Sequence, residues 1–267
     1  MKAKTNNMSM PGDSTVLRQT AAFLAEYASL LLGCGGTCIR IEKNTKRMAE
    51  AFGVNLDIFI MPDHVTVSVW NTAQAHAEIA QRRTAHCGIS FDLNTRLSQL
   101  SWKIADNRLG LPAAVEHFEY IKTTKPTEKW KVLILTSFAN AAFCRLFGGD
   151  WFAMLIVFVS TLTGYRLKQI MLEDGRDVRL TFLCASFFSA SISAGGHIFH
   201  IGSTPELALG TSVLYLIPGV PYINAVSDMI YRHYLCAFSR FFDAAVLTAC
   251  LSAGLCAGML MLGLKWF

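Results

Sequence analysis

Apolar and polar positions are unevenly spread along this chain. Through residue 131, Lys, Arg, Asp and Glu are scattered among short apolar periods, whereas 132–267 is mostly apolar. That change predicts a small α+β domain over 14–125 and a helical membrane domain over 130–267, after a disordered tail at 1–13. In the first part Leu17, Ala21, Leu24, Ala28 and Leu31 recur at helical spacing, so a helix is predicted over 14–32, capped by Ser14 and stopped at Gly33. Thr37 is placed to cap a second helix, to Phe52. Val65, Val67 and Val69 alternate with polar neighbours. With 55–61 they predict a hairpin across Pro62-Asp63-His64. Residues 72–88 fit either a third strand near 78–84 or a short helix. Helices are then predicted over 92–107 and from Pro112 to about 121.

The apolar part predicts five spans: 130–147, 151–165 or a little beyond, 180–201, 206–219 and 235–264. The fourth is interrupted. An apolar run from Leu207 to Ile217 meets Pro218-Gly219-Val220-Pro221 and resumes with Asn224 and Asp228, one turn apart. Proline removes a backbone donor, and freed backbone groups in lipid need partners in protein or in a wet cavity. Such an interruption marks either a transport site or a helix that ends in the interface. A re-entrant fourth segment would reduce the spans to four.

Two stretches carry a family resemblance. The run LIPGVPYINAVSDM over 216–229 resembles the signature of the threonine/serine exporter family of bacterial inner-membrane proteins. The run FCRLFGGDW over 143–151 resembles that family's turn after its first membrane helix. Order and spacing agree from about Ser14 onward. The resemblance implies export of threonine and serine in exchange for protons. Full-length members look like two fused membrane halves, and this chain matches the first. A second, small polytopic membrane subunit is therefore the expected partner. The split form also resembles a two-subunit system implicated in succinate export, so the substrate stays open between an amino acid and a dicarboxylate.

Charge supports this frame. Hydrophobic residues make up 52% and charged residues 16% of the 267, against roughly 25% charged in soluble domains. The formal net charge is +5, but Lys and Arg alternate with acids or gather beside apolar segments, so nucleic acid is not an expected partner. Lys122, Lys125, Lys129 and Lys131 precede the first span. Arg166, Lys168, Arg176 and Arg179 fall between the second and third, and Arg232 and Arg240 before the fifth. The turns at 148–150 and 202–205 have none. This bias predicts a multi-pass protein of the bacterial inner membrane with a cytoplasmic N-terminus. No secretory signal is visible at the start.

The candidate chemistry lies in the apolar half, where charge is costly. Pro218, Gly219, Pro221, Asn224 and Asp228 are the candidate pathway residues, with Asp228 able to bind a proton or an ammonium group. Arg145 could attract a carboxylate or snorkel outward. Asp150 reads as a turn residue or a partner of Arg145. Asp243 reads as an i, i+3 partner of Arg240. His197 and His200 lack a third ligand. Of eight cysteines, Cys34 and Cys38 are spaced C-x-x-x-C across Gly35-Gly36, and no second pair has metal-ligand spacing, so no metal or cofactor is expected. No nucleophile–base pair or phosphate-binding loop points to an enzyme. A membrane-anchored sensor is the alternative class, and homo-oligomerisation is left open.

Overall fold

The computed structural model describes residues 11–71, 77–85, 87–124, 127–199 and 202–263, with side chains from Ser14 onward. The expected tail up to Met10, and His76, His86, Lys125, His200, Lys265 and Trp266, lie outside the described residues. The chain divides into two compact units. One comprises residues 1–124 and 220–241; the other comprises 125–219 and 242–267. This grouping differs from a sequential division at residue 130, because 220–241 packs with the N-terminal residues.

The first unit is built on α1, Pro11–Gly33. It starts ahead of Ser14, at a proline, whose fixed φ suits the first helical turn. Leu24, Ala25, Tyr27, Ala28 and Leu31 are fully buried along it. α1 ends in a Schellman turn. Gly35, at φ 88°, donates to the Leu32 carbonyl, and Gly36 donates to the Leu31 carbonyl. α2 is Cys38–Ala51. Three antiparallel strands follow in the order β1-β2-β3: Asn55–Ile60, His64–Trp70 and Ala77–Arg83. The ambiguous stretch is thus a third strand. Register pairs Ile58 with Val67 and Val67 with Ala80. Val65, Val67 and Val69 are buried in one core with α1, as their alternation predicts. α3, Phe91–Asn107, is capped by Ser90, whose hydroxyl accepts from the Leu93 N–H. α4, Leu111–Thr123, carries Pro112 in its first turn.

The second unit contains α5, Lys129–Leu146; α6, Trp151–Glu173; α7, Val178–Ile198; α8, Pro205–Thr211; and a 3-10 turn, Leu214–Leu216. α9, Gly219–Ile230, and the start of α10, Tyr234–Met261, run in the first unit; α10 ends in the second. The expected charged loop from Arg166 is instead helical to Glu173, because Leu167, Ile170 and Met171 sustain an apolar face among the charges. Two described helices, α7 and α10, are long and apolar enough to cross a membrane. A third span is counted if Pro205–Leu216 and Gly219–Ile230 form one broken segment. That is fewer than the five expected. α5 carries Lys129, Lys131 and Arg145, and α6 carries Arg166, Lys168 and Glu173, which dilute their hydropathy.

α10 packs on α7 through small residues. A Cβ added at Gly254 would strike Ser186 Oγ and the Leu183 carbonyl, and one at Gly258 would lie 2.8 Å from Ala190 Cβ. Facing small residues four apart let two backbones approach closely, the arrangement that holds helices together where the solvent is lipid.

Candidate functional site

The candidate polar residues fall into two separate clusters, one in each unit.

The first surrounds the turn from α1 to α2. Thr37 sits at the N-cap of α2 but its side chain makes no cap bond. The Cys38 N–H instead donates to Asp228 Oδ1 at 2.9 Å, across 190 positions of sequence. Asp228 is fully buried. A carboxylate there satisfies an orphan donor and meets the positive end of the helix dipole. Arg240 Nη1 lies 3.1 Å from Asp228 Oδ2. That approach is a charge contact without hydrogen-bond angles. The other guanidinium nitrogen, Nη2, donates to the Gly36 carbonyl at 2.7 Å. One turn before Asp228, Asn224 Nδ2 donates to the Gly35 carbonyl at 2.9 Å. The face shared by Asn224 and Asp228 is therefore closed on the Gly35–Cys38 turn. Cys38 and Cys236 are buried neighbours. The Cys38 thiol is raised by hydrogen bonding to Cys236 and by burial.

Arg240 pairs with Asp228, not with Asp243 as expected. Asp228 is the stronger partner because burial leaves little water to screen the two charges. Pro218 lies between the 3-10 turn and α9. Ile217 before it is extended, at ψ 123°, as a residue preceding proline must be. Gly219 opens α9 and Pro221 falls in its first turn, where proline's missing N–H costs no helical bond.

The second cluster is a buried polar seam in the other unit. Asn140 of α5 donates to Thr161 Oγ1 at 2.6 Å and to the Thr211 carbonyl at 3.1 Å. Thr211 is the last residue of α8, so Asn140 satisfies a carbonyl the helix end has orphaned. Ser189 of α7 donates to the Ser160 carbonyl at 3.2 Å and shares a 2.9 Å hydrogen bond with Tyr215 of the 3-10 turn. Ser160, Thr161 and Ser189 are fully buried. Gly164 makes this contact possible, since a Cβ there would strike Ser189 Oγ and Tyr215 Oη. The interrupted segment is thus tied into α5, α6 and α7 by side chains, at the point where its own backbone ladder stops.

Lys168 stands at one end of this seam. Its Nζ lies 4.7 Å from the Phe182 ring centroid and 5.5 Å from that of Tyr165. Tyr165 in turn packs on Tyr215, with centroids 5.8 Å apart. Among the described residues no carboxylate approaches Lys168 within ion-pair distance. At the other end, Ser193 Oγ is fully buried and has no hydrogen-bond partner among the described residues.

Arg145 is exposed and donates to the Gly149 carbonyl at 3.1 Å. Asp150 is not its partner. It caps α6 through the Ala153 N–H at 2.7 Å and accepts from the Ser203 N–H and hydroxyl at 2.6 and 3.0 Å. Those amides hold its carboxyl below the ordinary range, the Ser203 N–H most of all. No group of three His, Cys, Asp or Glu that could hold a metal occurs among the described residues.

Charge counting missed Lys168 by reading it only as a topology signal. The available signal was spacing: Ser160 or Thr161, Gly164 and Lys168 fall one turn apart on one helical face. It also missed the pairing of Arg240 with Asp228, since the packing of 220–241 on the first unit is not written in local periodicity.

Comparison with known proteins follows the same outline. No solved structure matches the chain. A "Probable succinate transporter subunit YjjP" of Klebsiella aerogenes is 23% identical over 260 residues, covering 96% of this chain and 99% of the relative. A protein of the same description from Escherichia coli is 23% identical over 239 residues, covering 88% of this chain and 91% of the relative. The family model described as "Putative threonine/serine exporter" matches residues 22–262. The chain belongs to the threonine/serine exporter family.

Proposed function

We propose that this chain is one subunit of a secondary transporter that exports small carboxylate metabolites across the bacterial inner membrane. The observation that carries the reading is the buried polar seam at the interrupted segment. Asn140, Ser189 and Tyr215 hold the residues around the break, within a unit that is mostly apolar. Polar side chains and broken backbone inside lipid are expensive, and they are tolerated where a polar solute must pass. A plain anchor for a sensor has no need of either. In this reading all five hydrophobic segments belong to the membrane domain, with α5 and α6 shielding their charges at the ends. The N-terminal unit is cytoplasmic, on the side marked by Lys and Arg. A second small membrane protein completes the transporter, as the word "subunit" in the relatives' names suggests for them.

The substrate is a small carboxylate: a dicarboxylate such as succinate, or threonine and serine. One observation favours the dicarboxylate. Zwitterionic threonine wants an anion for its ammonium group, and Asp228 is already engaged by Cys38 and Arg240. The described seam itself contains no acid.

Efflux from cells preloaded with labelled succinate, or with a labelled threonine dipeptide, tests the reading. The chain is expressed alone and with its partner. Efflux that needs both proteins is the expected result. Absence of efflux of either compound under both conditions would overturn it.

A further inference from the structure

We infer that Lys168, with Tyr215 and Ser189, forms a carboxylate-binding site in the second unit, resting on the exporter reading. Three observations converge there. The ammonium group of Lys168 lies against two aromatic rings and, among the described residues, is paired with no acid. A lysine partly withdrawn from water without a counter-charge is costly, and an anionic guest would remove that cost. Next to it stands a set of neutral hydroxyls able to donate: Tyr215 through its ring contact with Tyr165, then Ser189 at 2.9 Å from Tyr215. Beyond Ser189, one turn along α7, the buried Ser193 hydroxyl has no partner among the described residues. A buried hydroxyl without a partner is unusual in a packed interior and points to a guest that supplies one.

The chemistry selects the ligand. A carboxylate accepts up to four hydrogen bonds and donates none when ionised. The seam offers one cation and several hydroxyl donors in a row. A dicarboxylate can bind Lys168 with one end while the other end takes hydrogen bonds from Tyr215 and Ser189. An ammonium-bearing substrate finds no acid among these residues. In the arrangement seen here the hydroxyls bond one another and the Ser160 carbonyl, so the seam is closed. Binding then exchanges these internal bonds for bonds to the guest.

The test uses the chain reconstituted in proteoliposomes with its partner subunit. Succinate binding to the purified complex and counterflow of labelled succinate and of labelled threonine are all measured. Succinamide, in which both carboxylates are amides, serves as the competitor. Loss of a hydrogen bond to a charged group is expected to cost roughly ten- to a hundredfold in affinity. Lys168→Gln should therefore raise the half-saturating succinate concentration by about that factor and reduce the preference for succinate over succinamide to the same degree. Lys168→Arg should restore both in large part. A lysine that merely snorkels to the interface would leave that preference unchanged, and this result would overturn the site. If the wild-type complex transports succinate and Lys168→Gln matches it, only the site fails. If the wild-type complex binds succinate through Lys168 yet moves neither succinate nor threonine, the exporter reading fails and the site stands. If it does not bind succinate, the site fails, and the exporter reading fails with it where threonine is not moved either.

Discussion

Asp228 caps a helix that begins 190 residues earlier: its Oδ1 accepts from the Cys38 N–H at 2.9 Å. The Thr37 side chain, the local candidate for that cap, makes no cap bond. Asp228 is thereby a clasp between α9 and the α1–α2 turn, reinforced by Arg240 on the same turn. Its burial follows from those bonds, and they leave it little capacity to receive a substrate.

Removing the charge of Asp228 should therefore unfold before it uncouples. Asp228→Asn leaves the Arg240 guanidinium, 17% exposed, without its counter-charge. Breaking a buried pair from one side costs about 3–5 kcal/mol. The variant should melt well below the wild type in detergent and accumulate poorly. An additional Arg240→Met change should recover part of the loss, since it removes the orphaned charge. A variant that melts normally yet fails to export would instead place Asp228 in the transport path.

The seam should be intolerant of added volume at Gly164. In Gly164→Ala the new methyl meets Ser189 Oγ and Tyr215 Oη. Overpacking of this kind costs about 1–3 kcal/mol. Reduced thermal stability and reduced export are expected together. A stable, fully active Gly164→Ala protein would show that Ser189 and Tyr215 need not touch.

The cysteines should react in a set order. Cys87 is exposed, whereas Cys34 and Cys38 are fully buried. Burial pushes the Cys34 thiol up to about 12, so the reactive thiolate is scarce near neutral pH. Maleimide labelling of the folded protein, read by mass spectrometry of peptides, should mark Cys87 rapidly and leave Cys34 and Cys38 until denaturant is added. Rapid labelling of Cys38 would contradict the closed α1–α2 turn.

Acid should loosen the link from Asp150 to Ser203. The Asp150 carboxyl is held below its ordinary value of 3.8 by the Ser203 and Ala153 amides. A depressed acid stabilises above its unfolded pKa and loses that contribution as pH falls through the folded value. Hydrogen exchange at the Ser203 amide should be slow at about pH 5 and accelerate below about pH 4, relative to its intrinsic rate. Asp150→Asn should exchange rapidly at both.

The sequence reveals the helices and strands well, because each rests on local signals. The valine alternation at 65–69 became the central strand, and Gly53 and Pro112 punctuate where their φ requirements say they should, whereas the left-handed residue that stops α1 is Gly35 and not Gly33. The Pro218 break is real for the same reason. What local pattern does not carry is partnership across the chain. Asn224 and Asp228 share a face, as an i, i+4 pair must, but spacing could not tell which surface that face meets. Arg240 stood three residues from Asp243, and only the fold shows that it reaches Asp228. Lys168 was visible as a charge; its place beside Tyr165, Phe182 and the seam depends on how α6 meets α7.

The most direct test of the exporter reading is counterflow of labelled succinate, and separately of labelled threonine, into proteoliposomes holding this chain, its partner, or both. The account predicts uptake of one of them with both proteins together and background uptake with either protein alone. Background uptake of both compounds with both proteins together, in vesicles where both are shown to be folded, would contradict it.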